Sequence, residues 1–387
     1  MMFIVALFGF LALCVAQDYV EREYLIGIKP YTNELSFSKM LKSDFGIDVK
    51  KTWNLGKVKI LHVSGDENDV VRVGRLAEVK YWERNGYAHA VQDCMEQPAP
   101  HCWGLDRIDQ ETKLTYDDPL FVNATYIWGE RMATGVNAYV LDTGIDVAHV
   151  EFEGRATWGY TADGIAPGEY DGNGHGTHVS GTIGSASYGV AKDVNLVAVK
   201  VLADTGSGPW TSVLDGMEWV RLVAHQAGDR SVVSMSLGGT GSEESILNAV
   251  DALYDAGVVV VVAAGNSNMD ACNYSPAQAI NALTVGATDV GDKSASFTNW
   301  GSCVDIFGPG VDVLSCAPDN GTDVMSGTSM ATPHVTGVVA RYQGYQTNPP
   351  LPSNVISWIK SRATRDAISW TGLNHDQSPN LLLYANC

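Results

Sequence analysis

Basic residues are scarce in this chain. It contains 25 Lys and Arg against 44 Asp and Glu, which gives a formal net charge of −19. The segment from Asp18 to Met95 is balanced, with 12 basic and 12 acidic residues, so the negative excess lies in the rest of the chain. A domain of this charge is a poor match for nucleic acid or for an anionic membrane surface. Neither is therefore expected as a partner.

Features of metal proteins and membrane proteins are also lacking. There is no Cys-x-x-Cys pair, and no group of Cys and His has zinc-site spacing. No segment beyond the N-terminus is apolar enough to cross a membrane, so we expect a soluble mature protein, most simply a monomer. Seven cysteines are present, and six remain if Cys14 leaves with a leader. An even set in a secretory chain favours disulfides.

The N-terminus has the pattern of a signal peptide. An apolar run from Phe3 to Val15 is followed by Ala16, with small residues suitable for cleavage, although the usual basic start is missing. We therefore predict a signal peptide over residues 1–16 and a secreted, extracellular protein. Asn123, Asn273 and Asn320 begin sequons that a eukaryotic pathway would use for glycosylation.

Residues 17–93 have the pattern of a small α+β domain. Apolar and polar residues alternate over Lys57–Val63, as in a half-buried strand, and apolar residues recur at helical spacing over Asp69–Val79. With further strands and a helix, the predicted order is βαββαβ, a ferredoxin-like unit. The Pro-containing segment Glu96–Pro100 is interpreted as a linker.

Residues 94–387 have a different pattern. Short runs dense in Val and Ala alternate with stretches of helical spacing, such as Thr211–His225 and Ser242–Asp255. Strands buried on both faces have this composition, and the alternation predicts a doubly wound parallel α/β sheet. Such sheets bind their ligands beyond the carboxyl ends of the strands.

Three polar residues lie at predicted element junctions. Asp142 follows the apolar run Val136–Leu141, His175 begins a helix after a glycine-rich loop, and Ser329 begins another, with Pro333 in its first turn. A serine hydroxyl is a weak nucleophile, so an imidazole must take its proton and a buried carboxylate must stabilise the imidazolium. The trio therefore predicts a nucleophilic hydrolase.

A fourth residue is required to stabilise the oxyanion of the tetrahedral intermediate. Asn266 follows the predicted strand Val258–Ala263, so its amide is a candidate donor. The helix N-terminus at Ser329 adds a favourable positive field.

These residues resemble the three signature blocks of the subtilases, in the order Asp, His, Ser. The blocks are Asp142-Thr-Gly-Ile, Asp171 to His178 and Gly327 to Pro333, and the match is closest to the proteinase K-like branch. The resemblance covers Trp103 to Tyr384 and implies a serine endopeptidase with Ser329 as nucleophile, His175 as general base, Asp142 as its partner and Asn266 as oxyanion donor. No cofactor is implied for catalysis.

The same resemblance implies a substrate cleft for protein and peptide chains. Its implied walls contain no charged residue, so we expect broad cleavage after apolar or aromatic residues. The residues that would line it are Gly206, Ser207, Gly208, Trp210, Ser236, Leu237, Gly238, Ala264 and Gly265.

Further features follow from the resemblance alone. The first domain would be a propeptide that inhibits its own enzyme and is removed by self-cleavage between residues 88 and 96. Cys272 and Cys303 would form a disulfide, while the pairing of the remaining cysteines, Cys94, Cys102, Cys316 and Cys387, stays open. A structural calcium ion would bind Asp305 and the carbonyls of Ile280 and Ala282.

Two other functions are considered. Asp142-Thr-Gly and Asp204-Thr-Gly resemble the paired motifs of aspartic proteases, but that class needs two similar all-β lobes, and the α/β alternation argues against them. A non-catalytic binding protein with a retained prodomain is the second alternative. The complete set of four polar residues argues for activity instead.

Overall fold

A computed structural model of the protein describes residues 19–86, 94–98, 102–120, 124–129, 133–227, 230–372, 375 and 377–385. The predicted signal peptide, residues 1–16, lies outside these ranges. The chain divides into two compact units, Met1–Val91 and Gln92–Cys387. Within the described ranges, no helix combines the length and the hydropathy that a membrane span requires.

The first unit is a four-stranded antiparallel sheet with two helices. Alternate residues of its first strand, Tyr24, Ile26 and Ile28, are buried and pack with Leu61 and Val63 of a neighbouring strand. The strand order is β2-β3-β1-β4, so the βαββαβ arrangement predicted from the sequence is confirmed. The elements are β1 (Tyr19–Ile28), α1 (Glu34–Phe45), β2 (Asp48–Asn54), β3 (Lys59–Ser64), α2 (Glu67–Val73) and β4 (Val79–Gly86).

The second unit contains a nine-stranded sheet of order β18-β19-β15-β14-β12-β10-β7-β9-β8. All pairs are parallel except β18–β19. Its strands are β7 (Val136–Asp142), β8 (Ala156–Thr161), β9 (Asn195–Lys200), β10 (Arg230–Met235), β12 (Val259–Ala263), β14 (Ala282–Thr288), β15 (Ile306–Pro309), β18 (Thr364–Arg365) and β19 (Leu381–Leu382). Every residue of β12 is buried, as expected of a strand covered on both faces. The predicted α/β fold class is confirmed.

Helices cover both faces of this sheet. They are α3 (Trp103–Ile108), α4 (His175–Gly184), α5 (Trp210–Ala227), α6 (Glu244–Asp255), α7 (Thr328–Tyr345) and α8 (Pro352–Arg362). Val140 of β7 packs in one apolar core with residues of α4 and α7, whereas its neighbour Leu141 packs in a second core with residues of α5 and α6. Because adjacent strand residues point to opposite faces, the two helix pairs lie on opposite sides of the sheet.

Three short strand pairs also occur in the described part of this unit. They are β5 (Cys94–Pro98) with β6 (Thr125–Gly129), β11 (Gly239–Thr240) with β13 (Tyr274–Ser275), and β16 (Val313–Ala317) with β17 (Gly321–Met325). Short 3₁₀ turns occupy Val150–Phe152 and Ala271–Asn273.

The linker predicted over Glu96–Pro100 is wrong for its first three residues. Glu96, Gln97 and Pro98 belong to β5, and Gln97 also donates a side-chain hydrogen bond to the carbonyl of Ser187 at 3.0 Å. Pro98 lies in an edge strand, because β5 pairs with β6 alone in this two-stranded sheet, and edge strands tolerate a missing N–H. The N-terminal segment of the second unit is therefore a strand of that unit.

The structure contains a disulfide between Cys272 and Cys303. Cys102 and Cys316 are buried free thiols. The option in which Cys94, Cys102, Cys316 and Cys387 are all bonded is therefore not found, because two of these four are unpaired. The side chains of Cys94 and Cys387 lie outside the described residues.

Candidate active site

The three polar residues singled out in the sequence lie at the junctions predicted for them. Asp142 is the last residue of β7, His175 is the first of α4, and Ser329 is the second of α7. Glycine is needed at the start of α4 for two reasons. Gly174 has a φ of 98°, and a Cβ on Gly176 would lie 2.1 Å from the carbonyl oxygen of Gly144. The absence of a Cβ at these glycines lets the helix approach the end of β7.

Asp142 and His175 form a direct hydrogen-bonded pair. The distance from Asp142 Oδ1 to His175 Nδ1 is 2.8 Å, and the Asp142 side chain is fully buried. Burial lowers the pKa of His175, but the charge and hydrogen bond of Asp142, together with the charge of Asp171, outweigh burial and leave this pKa raised. The carboxylate therefore stabilises the imidazolium form of the ring, as a proton acceptor in catalysis requires.

The loop before His175 is organised by Asp171, which is buried. One carboxylate oxygen accepts from the Thr143 hydroxyl at 2.8 Å and from the N–H of Gly174 at 2.9 Å. The other accepts from the hydroxyl of Thr177 at 2.6 Å and from its N–H at 2.9 Å. Asp171 thereby ties the first turn of α4 to the residue that follows Asp142.

Ser329 faces the same cleft from the N-terminus of α7. Its Oγ donates to the carbonyl of Ser236 at 3.1 Å, and the Ser236 hydroxyl donates to the carbonyl of Ser329 at 2.8 Å. Among the described contacts, none is a hydrogen bond between Ser329 and His175. Catalytic hydrogen bonds often form only when substrate binds, and transfer of the Ser329 proton to His175 would require such a rearrangement.

Asn266 is oriented by the residue before Ser329. Its Oδ1 accepts from the N–H of Thr328 at 2.8 Å and from the Thr328 hydroxyl at 2.9 Å. Because a backbone N–H can only donate, the atom facing it must be the amide oxygen. The Nδ2 group has no partner among the described residues, so it is available to a ligand in the cleft.

A cleft of about 660 Å³ connects these groups. His175, Ser329 and Asn266 line it, while Asp142 lies behind His175. All nine predicted substrate residues also line it, namely Gly206, Ser207, Gly208, Trp210, Ser236, Leu237, Gly238, Ala264 and Gly265. Apart from His175, none of the described lining residues is titratable except Tyr274, so the walls carry no fixed charge.

Sequence reasoning missed part of the lining. Tyr274 and Ser275 belong to β13, which pairs with β11 directly after the Ser236–Gly238 segment. A pairing of two residues leaves no periodic pattern in the sequence, so it could not have been predicted. Thr143 and Asn173 also line the cleft, and they adjoin motifs that the sequence did identify.

The second Asp-Thr-Gly does not pair with the first. Asp142 contacts His175, whereas Asp204 forms an ion pair with Lys200 at 2.8 Å. Asp142 ends β7 and Asp204 lies in a turn after β9 of the same sheet, and each has a different partner. The two-lobed arrangement of an aspartic protease is therefore absent from the described residues.

The surroundings of Asp305 do not fit the predicted calcium ion. Its Oδ1 accepts from Lys360 Nζ at 2.7 Å, and its Oδ2 accepts from the N–H of Thr284 at 3.0 Å. The single carboxylate is thus already neutralised, and no group of three or more Asp, Glu, His or Cys suited to a metal occurs in the described part of the chain. Calcium binds carboxylate, carbonyl and water oxygens, and a carboxylate already paired with a lysine does not supply the negative charge that favours the ion. Ile280 and Ala282 supply only carbonyls.

Residues 134–379 match the family model described as Peptidase S8, subtilase family. The chain is similar to the "Subtilisin-like serine protease Pen ch 18" of Penicillium rubens, with 39% identity over 381 residues, 92% of this chain and 74% of that protein. It is 46% identical over 319 residues to the "Extracellular serine proteinase" of Thermus sp. (strain Rt41A), covering 80% of this chain and 72% of the relative.

A solved structure is also similar. It is described as the crystal structure of a cold adapted subtilisin-like serine proteinase, with a TM-score of 0.66 and 44% sequence identity. The match covers 74% of this chain and 98% of that one.

Proposed function

The chain belongs to the subtilase family of serine endopeptidases, and we propose that it cleaves peptide bonds with Ser329 as nucleophile, His175 as general base and Asp142 as the partner of His175. The observation that carries this assignment is the buried Asp142–His175 hydrogen bond at 2.8 Å, in the same cleft as Ser329 at a helix N-terminus.

The reaction would proceed through an acyl-enzyme. Ser329 Oγ attacks the carbonyl carbon of the scissile bond while His175 Nε2 accepts its proton. The imidazolium then protonates the leaving amine, and the C–N bond breaks. Water, deprotonated by His175, attacks the ester carbonyl, and the carboxylic acid leaves as Ser329 regains its proton.

Asn266 would donate to the oxyanion formed in both steps. Its Nδ2 has no partner among the described residues, and its orientation is fixed by Thr328, so little reorganisation is needed as charge develops. The backbone N–H of Ser329 would be the second donor. Preorganised donors of this kind stabilise the transition state more than the ground state.

The composition of the cleft supports broad specificity. Its uncharged walls offer no partner to a Lys or Arg side chain of the substrate, so cleavage after apolar or aromatic residues is proposed. Gly206, Ser207 and Gly208 would pair with the substrate backbone as an added strand.

We also propose that the protein is secreted as a zymogen, with residues 1–16 as signal peptide and the remainder of the first unit as an inhibitory propeptide. The relative from Thermus is named extracellular, which supports secretion. Because Cys94–Pro98 forms a strand of the second unit, self-cleavage is proposed N-terminal to Cys94, between residues 88 and 94. A cut after Glu96 would remove three of the five paired residues of β5.

Glycosylation is proposed at two sequons. Asn320 is exposed in the turn between β16 and β17, and Asn273 is exposed beside the disulfide at Cys272. Asn123 lies outside the described residues. Asn273 and Asn320 are therefore both accessible acceptors for a eukaryotic pathway.

A fluorophosphonate probe followed by peptide mass spectrometry tests the activity. We expect label on Ser329 in the mature protein and none in Ser329→Ala or His175→Ala. Ser326→Ala is the matched control, because Ser326 lies three residues away and its hydroxyl bonds Asp312 instead of lining the cleft. Absence of label from mature, prodomain-free protein would favour a non-catalytic binding function.

Self-processing is tested in the same variants. Ser329→Ala should accumulate as a precursor containing the first unit, whereas Ser326→Ala should yield a new N-terminus between residues 88 and 94. Normal trimming of pure Ser329→Ala protein, with no other protease present, would contradict self-cleavage.

A further inference from the structure

Lys200 is a fully buried lysine that the catalytic mechanism does not use. It ends β9 and lies directly opposite Asp142, the last residue of β7, in the strand register. Burial of an unpaired ammonium group is strongly unfavourable, so a buried lysine is expected to have specific acceptors. The contacts of Lys200 therefore indicate its structural role.

The ammonium group of Lys200 has two acceptors. It donates to the carbonyl oxygen of Thr143 and to Asp204 Oδ1, the latter at 2.8 Å. Asp204 is 37% exposed and also accepts from the hydroxyl of Tyr170. The hydrogen bond from Lys200 is the largest cause that lowers the pKa of Asp204, so the carboxylate stays charged at neutral pH. Lys200 thus connects Thr143, the residue after Asp142, with the partly exposed carboxylate of Asp204.

Asp204 extends this connection to the loop that carries His175. Its main-chain carbonyl accepts from the Asn173 amide at 2.9 Å. Gly172 is so close that a Cβ there would lie 2.5 Å from the Asp204 carboxyl carbon. The Asp171–Gly174 loop therefore packs directly on Asp204.

Asp204 also belongs to the turn that presents the proposed substrate edge. Gly206 N–H donates to the carbonyl of Ala203 at 2.8 Å, and Ala203 N–H donates to the carbonyl of Ser207 at 2.9 Å. These bonds fix Gly206 and Ser207 relative to Asp204. Three segments consequently meet at the Lys200–Asp204 pair: the end of β7, the His175 loop and the substrate edge.

We propose that the Lys200–Asp204 ion pair is a positioning element that holds the substrate edge, residues 206–208, in register with the Asp142–His175 pair. This inference rests on the proposed peptidase function. Neither residue lines the cleft, so both act through the backbone and side chains that they hold. Loss of the ion pair should lower kcat/KM most for substrates long enough to pair with residues 206–208.

The test compares two peptide anilides, one with a single residue before the scissile bond and one with four. The measured quantity is the ratio of kcat/KM for the long substrate to kcat/KM for the short one. We expect Asp204→Ala to lower this ratio by about tenfold or more, because small misplacements of groups in a cleft slow the reaction strongly. Lys200→Met should lower the same ratio at least as much. Asp204→Asn, which keeps an acceptor oxygen for Lys200, should recover most of it.

Matched controls separate positioning from general stability. Glu218→Ala removes an exposed carboxylate bonded to Arg221 on α5, and Lys192→Met removes a half-buried ammonium bonded to the carbonyl of Ala186. Both should leave the ratio within about twofold of wild type, because neither contacts the cleft. Melting temperatures of all variants show how much stability each has lost.

Two results would overturn the proposal. One is an unchanged ratio of the two kcat/KM values in folded Asp204→Ala. This result would suffice even if Lys200→Met cannot be obtained as folded protein. The other is an equal fall of the ratio in the control variants. Failure of the underlying function is distinguishable, because wild type would then hydrolyse neither anilide faster than Ser329→Ala.

Discussion

Lys360 is expected to take the place of the calcium ion at Asp305, and replacing it by Met should create calcium dependence. In the wild type, the ammonium group lies 2.7 Å from Asp305 Oδ1 and neutralises the carboxylate. Lys360→Met removes that charge with little change in side-chain length. It leaves Asp305 free to join the carbonyls of Ile280 and Ala282 around a hard cation.

The magnitudes follow from exposure and mass action. The Lys360 and Asp305 side chains are 40% and 24% exposed, so the ion pair contributes about 1 kcal/mol at most. Its loss should lower Tm by about 2–4 °C without calcium. Calcium at 100 times its Kd stabilises the native state by about 2.7 kcal/mol. Added calcium should then raise the Tm of Lys360→Met by about 5–10 °C.

The assay is thermal unfolding in EDTA and in calcium, with Ser329→Ala in every protein to prevent autolysis. We expect no calcium-dependent shift at this position in the wild-type background and a shift in Lys360→Met. The control is Lys360→Met with Asp305→Asn, in which the shift should disappear. The opposite result is a fall in the Tm of the wild-type background on chelation that Asp305→Asn abolishes. Calcium would then bind at Asp305 despite Lys360.

Two further predictions concern the cleft. Asn266→Asp keeps an acceptor for Thr328 but lacks the N–H donors, so kcat should fall about 100- to 1,000-fold with little change in KM. A decrease in kcat of less than about fivefold in steady-state kinetics would contradict the oxyanion role. Asp171→Asn removes a charge that raises the pKa of His175. Since His175 must be neutral to accept a proton, the acid limb of the kcat/KM profile should move to lower pH, and a shift to higher pH would contradict this account.

Much of the second unit could be predicted from the sequence because its strands are buried on both faces. The valine run of β12 has no polar position, and only a parallel sheet covered by helices accommodates such a run. The helix predicted to begin at His175 is α4, and its start could be recognised because glycines precede it in the sequence. Short strands such as β15 and β19 have too few residues for a periodic pattern, so they were not predicted.

The strand β5 was misassigned for a different physical reason. Pro98 and Pro100 favour a linker locally, but five residues find backbone partners in β6, about thirty positions away along the chain. Local composition reports the conformations that a residue tolerates. It does not report whether a distant strand supplies acceptors for its N–H groups, and here that long-range pairing decided the structure.

The groups that support the site were hidden in the sequence for a related reason. Asp142, His175 and Ser329 could be identified because the backbone around them needs glycine at tight junctions, and glycine is visible in a sequence. Lys200 and Lys360 have no such local signal. One follows a valine run and the other sits in an amphipathic helix, and most lysines in such positions are solvated. Each becomes informative only when the fold brings it within 2.8 Å of a carboxylate. The two lysines also differ in burial. Lys200 is fully buried beside Asp142, so its loss should change the geometry of the cleft. Lys360 is partly exposed, so its loss should change only the cation that Asp305 binds.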